Sequence, residues 1–327
     1  MIYTDNAATT PLSREVLEEM IPYLTECYGN ASSIYSIGRE ARSAIDKARE
    51  KIANLLGVKA NEIYFTSGGS EADNWAIKGV AYANNKKGKH IITSAIEHHA
   101  VLHTCQYLEK QGFKVTYLPV DQYGMVSPAD LEAAITDETI LVTIMQANNE
   151  IGTIQPIKEL AEIAHAHKIY FHTDAVQAVG HIPVSITELG ADLLSLSGHK
   201  FEGPKGVGVL YIKGGTRITQ FMHGGAQERG KRATTENVAG IVGIAKALEI
   251  AYENMDKNVE KITALRDRFI SRVLEEIPHC RLNGHPEVRL PGNANISFSF
   301  IEGEALLLSL DMVGIAVQAV AHVQAGH

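Results

Sequence analysis

Short apolar runs alternate along this chain with longer segments in which apolar residues recur every three or four positions. The runs are typical of buried strands and the longer segments of amphipathic helices. The predicted strands cover residues 62–65, 90–93, 114–120, 139–145, 169–172, 193–197 and 206–212, and intervening helices cover 70–84, 98–111 and 157–167. Strands that alternate with helices predict a mostly parallel sheet covered on both faces. Ligands of such sheets bind at the carboxyl ends of the strands.

A second region follows this alternation. A long helical stretch is predicted over residues 236–276, a strand over 295–300 and a helix over 303–312. The chain has 327 residues, which is enough for one large domain and a smaller one.

Composition and charge indicate an ordinary soluble protein. With 45% hydrophobic residues and a net charge of −8, the chain is not suited to nucleic acid or a membrane surface. No apolar run approaches the ~20 residues of a membrane span, and no secretory signal precedes the first strand. The three cysteines form no C-x-x-C pair, which favours a reducing compartment. We therefore expect a cytoplasmic protein without nucleic-acid or membrane partners.

A lysine stands at the end of the predicted strand 193–197. Ser197, Gly198 and His199 lead directly to Lys200, and a turn rich in glycine and proline follows. A lysine at a buried strand end is poorly solvated, so its pKa falls and its amine becomes nucleophilic. Ser197 and His199 could hold a phosphate beside it. The segment therefore has the parts of a Schiff-base site for pyridoxal phosphate (PLP), although alone it is equally compatible with a solvated lysine.

A carboxylate ends the preceding predicted strand. Asp174 follows the apolar run 169–172, and Gln177 comes three residues later. PLP draws electrons efficiently only while its ring nitrogen is protonated, and a buried aspartate is the usual partner of that nitrogen. Gln177 could reach the phenolic oxygen. Gly69 and Ser70 open a predicted helix, where backbone amides favour an anion, although a plain helix cap explains them equally well.

Motifs spread over nearly the whole chain resemble the cysteine desulfurases, a group within the class-V aminotransferase branch of PLP enzymes. They lie at residues 5–11, 29–33, 65–74, 97–102, 148–153, 195–206, 224–230 and 289–293. The resemblance implies an aspartate-aminotransferase-like α/β fold, with a mostly parallel seven-stranded sheet flanked by helices. It also implies a large PLP-binding domain over residues 12–255 and a smaller, incomplete α+β domain from residues 1–11 and 256–327.

The same resemblance assigns roles to individual residues. It implies that Lys200 and His98 are catalytic, with His98 stacked on the pyridine ring. The residues implied to bind PLP are Gly69, Ser70, His98, Asn149, Asp174, Gln177, Ser197, His199, Lys200 and Thr235. Thr235 corresponds to a threonine that reaches the phosphate of the partner subunit, so a homodimer is implied. The family usually has glycine where Thr234 stands, which leaves the approach of that loop open.

The resemblance implies conversion of L-cysteine to L-alanine, with persulfide sulfur passed to an acceptor or scaffold protein for iron–sulfur cluster or thiocofactor assembly. A selenocysteine lyase-like enzyme is an alternative. Another is an impaired PLP-binding homodimer that acts as a scaffold. No metal is expected, because His165 and His167, two apart on a helix, point to different sides.

The chain departs from the family after residues 308–317. Relatives continue with a mobile loop whose cysteine takes up the substrate sulfur, whereas residues 318–327 contain no cysteine. The arginine that binds the substrate carboxylate in relatives is also absent. Inserting one T within a possible Val317 codon converts the tail to A-V-S-G-S-G-T-C-S-G. We hypothesise a one-base frameshift; a natural truncated paralogue and a helical tail of unrelated function are the alternatives.

Overall fold

The computed structural model describes residues 1–319, and its helices and strands follow the predicted alternation. The strands are β1 (Ile2–Tyr3), β2 (Ile63–Thr66), β3 (His90–Ser94), β4 (Lys114–Leu118), β5 (Thr139–Thr143), β6 (Tyr170–Asp174), β7 (Leu193–Ser197), β8 (Gly208–Ile212), β9 (Cys280–Leu282), β10 (Ile296–Phe298) and β11 (Ile315–Ala316). The helices are α1 (Arg14–Thr25), α2 (Ser36–Leu56), α3 (Gly69–Asn84), α4 (His99–Lys110), α5 (Pro128–Ala134), α6 (Ile157–Ala166), α7 (Ile186–Leu189), α8 (Gln227–Gly230), α9 (Val238–Glu253), α10 (Met255–Glu276) and α11 (Gly303–Met312).

The central sheet has seven strands in the order β2-β8-β7-β6-β5-β3-β4. The pairs β3–β4, β3–β5, β5–β6 and β6–β7 are parallel, whereas β8 runs antiparallel to both β2 and β7. Every residue of β5, β7 and β8 is buried. Such strands are buried on both sides because helices cover both faces of the sheet. The predicted, mostly parallel seven-stranded sheet is confirmed.

Four predicted strands extend two residues beyond one end of the observed ones, namely 114–120, 139–145, 206–212 and 295–300. Val120 was placed in the strand 114–120, but it leaves β4 and forms an isolated bridge with Val126. Gly206 was placed in the strand 206–212, but its φ of 78° lies in the left-handed region that strands exclude. The chain therefore turns before β8 begins at Gly208.

The long helical stretch predicted over residues 236–276 consists of two helices. Asn254 has φ −103° and ψ 5° and separates α9 from α10. Its side-chain amide donates to the Ile250 carbonyl at 2.9 Å, so the residue ends α9 with its own hydrogen bond. Among residues 1–319 no helix is long and apolar enough to cross a bilayer.

Apolar side chains from the two faces of the sheet form the core. On one face, α2 and α9 pack together around Ile45, Ile52 and Ile244, which are fully buried. On the other face, Trp75 of α3 is fully buried and packs with apolar residues of α4. A third cluster lies beneath α5 and α6. Burying such side chains supplies most of the folding free energy, and this packing fixes the strand ends that carry the site.

The N-terminal strand pairs with the C-terminal part of the chain. Ile2 and Tyr3 of β1 are parallel to Ile315 and Ala316 of β11. In the same C-terminal part, β9 and β10 form an antiparallel pair with α10 packed on β9. The pairing of β1 with β11 supports a second domain built from both ends of the chain; its bounds remain a prediction.

Candidate active site

Lys200 lies at the carboxyl edge of the sheet, one 3-10 turn beyond the end of β7. It is half-buried, and its ammonium donates to the carbonyl of Ala7 and, at 2.9 Å, to that of Ala8. Burial lowers the pKa of the amine, while Asp174 and Asp5 oppose the shift. The lysine therefore loses its proton more easily than a solvated one, as the strand-end position predicts.

The N-terminal segment covers the lysine. Beyond the carbonyls of Ala7 and Ala8, Thr10 donates its backbone N–H to the His199 carbonyl at 2.9 Å, and Thr9 Oγ1 lies 3.1 Å from His199 Nδ1. Gln177, expected at the cofactor's phenolic oxygen, donates to Ala7 at 2.9 Å. Sequence reasoning noted residues 5–11 only as a motif, because backbone carbonyls leave no side-chain signal.

Asp174 ends β6 and is buried, beside the lysine strand in the sheet. One of its oxygens accepts the Val176 amide at 2.9 Å. Burial raises the pKa of Asp174 to about 6, against the effects of that hydrogen bond and of the Lys200 cation. A cationic ring nitrogen placed against this carboxylate would compensate its burial.

The N-terminus of α3 faces the same edge of the sheet. Gly68, the residue before the helix, has φ 154° and provides no side-chain cap. A Cβ on Gly69 would lie 2.6 Å from Val176 Cγ2 and 3.6 Å from the Ser197 Cβ, so only glycine fits there. Uncapped amides of a helix of 16 residues beside Ser197 attract an anion. Gly69 and Ser197 thus lie together, and the cradle that they form fits the phosphate of PLP.

His199 and His98 flank the lysine. Burial and the cations of Lys200 and Lys205 lower the pKa of His199 to about 4, so its ring is neutral near pH 7. His98 caps the start of α4, and its Nδ1 accepts the Ala100 amide at 3.1 Å. Partial burial of its ring and the nearby Lys200 cation lower the pKa of His98. A neutral imidazole can stack on an aromatic ring and can take up or release a proton.

Asn149 lies in a loop that its neighbour Asn148 holds in shape. The Asn148 side chain accepts the amides of Glu150 and Ile151 at 2.8 Å each and donates to Ile96. Asn149 itself is half-buried, with no side-chain hydrogen bond inside residues 1–319. Its amide is therefore available to a ligand, as the resemblance implies.

Arg289 attaches the C-terminal part of the chain to this loop. It is buried, and it donates to the backbone carbonyls of Asn283, His285, Ile151 and Asn293. Burial and the nearby Arg266 cation lower its pKa to about 10. The sequence motif marked Arg289 but gave no hint of this contact, because the two segments are far apart in the chain.

Ser70 and Thr235 are less closely joined to the site. Ser70 is exposed at the start of α3. Thr235 is also exposed, beside Glu236, whose carboxylate accepts from Arg42 at 2.9 Å. No described contact joins Thr235 to Lys200 or Asp174 within this single chain, and its contact with the phosphate of a partner subunit stays a prediction.

The two histidines considered as a metal pair have separate partners. His165 Nε2 lies 2.9 Å from Asp192 Oδ2, and His167 Nε2 lies 2.8 Å from Glu132 Oε1. In the described part of the chain no three histidine, cysteine or acidic side chains converge as a metal site would require. Each of the two histidines is explained by a hydrogen bond with its own acidic partner.

Residues 2–327 match the family described as Aminotransferase class-V. The chain is 62% identical to "Cysteine desulfurase IscS" of Methanosarcina thermophila over 314 residues, which cover 96% of this chain and 78% of the relative. It is 60% identical over 316 residues to the protein of that name from Clostridium botulinum, covering 96% of this chain and 80% of the relative. A solved "NIFS-LIKE PROTEIN" has TM-score 0.95 and 44% identity, covering 98% of this chain and 87% of its own. The structure "SspA in complex with cysteine" has TM-score 0.84 and 36% identity, covering 98% and 90%.

Proposed function

Because the chain belongs to the class-V aminotransferase family and, within it, to the PLP-dependent cysteine desulfurases, we propose that Lys200 attaches the cofactor and that L-cysteine is the substrate. The observation that carries the proposal is the half-buried amine of Lys200 at the sheet edge, between Asp174 and the uncapped start of α3. The solved relative in complex with cysteine supports the substrate.

The surrounding residues hold the cofactor by its charges. When bound, PLP withdraws electrons from the carbon that carries the amino group of the amino acid. The amides of Gly69 and Ser70, with Ser197 and His199, receive the phosphate. Asp174 provides the negative charge for the ring nitrogen, and Gln177 and Asn149 lie in reach of polar groups on the ring and the substrate.

Lys200 and His98 move protons. An amine whose pKa is lowered by burial accepts a proton from the substrate carbon and returns it within the same site. The Ala7 and Ala8 carbonyls orient the amine. His98 would stack on the cofactor ring, where its imidazole can take or give a second proton. The N-terminal segment above the lysine excludes water from this exchange.

A homodimer in which Thr235 reaches the phosphate of the other subunit completes the proposed site. Sulfur would pass to an acceptor or an iron–sulfur scaffold protein in the cytoplasm. The large domain spans residues 12–255, and residues 1–11 with 256–327 form the small one. Selenocysteine remains an alternative substrate, because a selenium atom occupies the same position as sulfur.

The three cysteines favour a second candidate function, PLP binding without sulfur transfer. Cys105 is buried, which raises its pKa to about 12. A hydrogen bond to Glu40 raises the pKa of Cys27. Cys280 donates to the Ile277 carbonyl at 3.0 Å. A sulfur-accepting nucleophile must be a thiolate; the raised pKa values disfavour that form of Cys105 and Cys27, and none of the three cysteines follows residue 317.

The frameshift interpretation concerns the same step. The first residue that it changes is Gln318, and residues 320–327, including the His322–Val323 junction, lie outside the described residues. We propose it as the reason for the missing cysteine. The genomic DNA around the Val317 codon tests it directly: an uninterrupted reading frame in independent reads contradicts it.

Borohydride reduction of the holoenzyme, followed by peptide mapping, tests the cofactor site. We expect one reduced cofactor adduct, on Lys200, and none in Lys200→Ala. Lys205→Ala is the matched control, because that ammonium lies 3.5 Å from the Thr10 carbonyl yet has no proposed role with the cofactor. An adduct on another lysine contradicts the assignment. Sulfide release from L-cysteine under a thiol reductant then separates the two candidate functions.

A further inference from the structure

Three carboxyl groups are buried around the floor of the site, and only one has a role in the proposed chemistry. Asp174 ends β6, Asp73 lies on α3 one turn beyond Gly69, and Glu97 follows β3; they are 6%, 1% and 5% exposed. Within residues 1–319 none of them forms a salt bridge with lysine or arginine. Buried, unpaired carboxylates repel one another and are poorly solvated, so most of this group must be protonated.

The hydrogen bonds distinguish the three acids. Glu97 accepts from Ser94 Oγ at 2.6 Å and from the Met145 amide at 3.0 and 3.1 Å. Asp174 accepts the Val176 amide, whereas Asp73 Oδ1 has no partner inside the described range. Burial raises the pKa of Asp174 to about 6 and that of Glu97 to about 8. Burial and the Asp174 charge raise the pKa of Asp73 well above its ordinary value.

A row of hydrogen bonds leads from Thr143 of β5 to Ser195 of β7, beside Asp73. Thr143 Oγ1 lies 2.8 Å from His172 Nδ1, and His172 Nε2 lies 3.0 Å from Ser195 Oγ. The Ser195 hydroxyl lies beside Asp73 and opposes the rise of the Asp73 pKa, and Asp73 Oδ1 is 3.7 Å from His172 Nε2. His172 is completely buried, which lowers its pKa to about 3, so the ring is neutral and carries one N–H.

Such a row has two possible directions. If Asp73 is ionised, Ser195 donates to it, and the ring must donate from Nε2. If Asp73 is protonated, it donates to Ser195, Ser195 donates to Nε2, and the ring donates from Nδ1 to Thr143. The proton on Asp73 therefore decides which nitrogen of His172 is protonated.

We infer that Asp73 is a positioning residue that carries a proton in the folded protein and, through Ser195, holds His172 in the Nδ1–H tautomer. The layer behind the site is then neutral, and Asp174 is the one acid there that presents its charge to the ring nitrogen. This rests on the role proposed for Asp174. The titratable groups that face Asp73 are His172 and Asp174 from β6 and Glu97 from the segment after β3; Lys200 lies beyond Asp174.

The tautomer can be measured without the cofactor. Histidine-labelled protein stripped of PLP is studied near neutral pH, and the two ¹⁵N shifts of His172 show which nitrogen is protonated. We expect Nδ1–H, and an Nε2–H ring overturns the inference. A failure of the proposed function, with no adduct on Lys200, leaves this measurement unaffected, so the two failures are distinguishable.

A stability measurement tests the proton on Asp73 independently. A carboxyl whose pKa is raised by folding loses stability as pH rises above its unfolded value of about 4. Asp73→Asn removes that loss. The urea midpoint of this variant should therefore rise relative to the midpoint of the parent protein as the pH increases from about 5 to about 8. Asp46→Asn, at an exposed position of α2, is the matched control, and the difference between its urea midpoint and that of the parent should not change with pH. A midpoint for Asp73→Asn that falls behind the parent as pH rises contradicts the inference; if that variant does not fold, the tautomer decides.

Discussion

Removing Arg49 should destabilise the protein far more than removing an exposed arginine. Arg49 and Glu228 form a two-point ion pair at 2.9 and 2.8 Å, and their side chains are 8% and 3% exposed. Arg49 also donates to the Ile63 carbonyl at 2.6 Å, and Glu228 accepts the Phe65 amide at 3.1 Å. The pair thus joins α2, β2 and the turn that leads to Thr235.

Arg49→Met keeps the length of the side chain but leaves Glu228 buried with one amide donor. Breaking a buried pair from one side costs about 3–5 kcal/mol, because the remaining charge has neither water nor partner. Glu228 and Arg229 also have φ of 45° and 56°, so the turn is strained and depends on its anchors. A loss of about 4 kcal/mol is a large part of a domain stability of about 5–15 kcal/mol.

Urea unfolding at neutral pH measures the effect, with Arg14→Met as the matched control. Arg14 pairs with Glu18 at 2.9 Å on the surface of α1, where both side chains are mostly exposed, so its loss should cost only about 0.3–0.5 kcal/mol. In Arg49→Met combined with Glu228→Leu, much of the loss should be recovered, because no charge is left buried. An Arg49→Met loss as small as that of Arg14→Met would refute the reasoning.

Three further changes test the site and its supports. Asp174→Asn should slow deuterium exchange at the substrate carbon by about 100-fold or more while the fold persists, because the ring nitrogen loses its charged partner; an unchanged exchange rate means that another residue faces the ring. For Glu97, whose pKa burial raises from 4.5 to about 8, stability should fall as pH rises through that window, and Glu97→Gln should show a flatter urea-midpoint profile than the parent; identical profiles contradict this. Arg289→Lys should raise KM for L-cysteine more than it lowers kcat, because a lysine cannot reach the same carbonyls that shape the Asn149 loop. Equal KM values for variant and parent would show that the loop keeps its conformation without Arg289.

Local sequence patterns were enough to predict the strands of the central sheet and the position of Lys200 at a strand end. The apolar runs gave seven strands because both faces of the sheet are buried, and β7 begins and ends where its run does. The longest errors came at strand ends, where a single glycine conformation or an isolated bridge decides the boundary, as at Gly206 and Val120. Asn254 divided the long helix for a similar local reason.

Asp73 shows what a closer reading of the sequence could have found. It lies on the buried face of α3 beside Ala72 and Ala76, where an acid is out of place. The amphipathic pattern was nonetheless sufficient to predict the helix. What the pattern lacked was the identity of the neighbours, since His172 and Ser195 come from strands about a hundred residues later.

The sequence by itself determined the alternation of strands and helices and the positions of Asp174 and Lys200 at strand ends, because periodicity and strand-end chemistry are local properties. Only the tertiary structure decided that residues 7–10 cover Lys200, that Arg289 holds the Asn149 loop and that three acids share one buried floor. These contacts join segments up to about two hundred residues apart, and those of Lys200 and Arg289 are made to backbone carbonyls. Their formation depends on how the helices pack on the sheet, and the strength of each depends on the burial that this packing imposes.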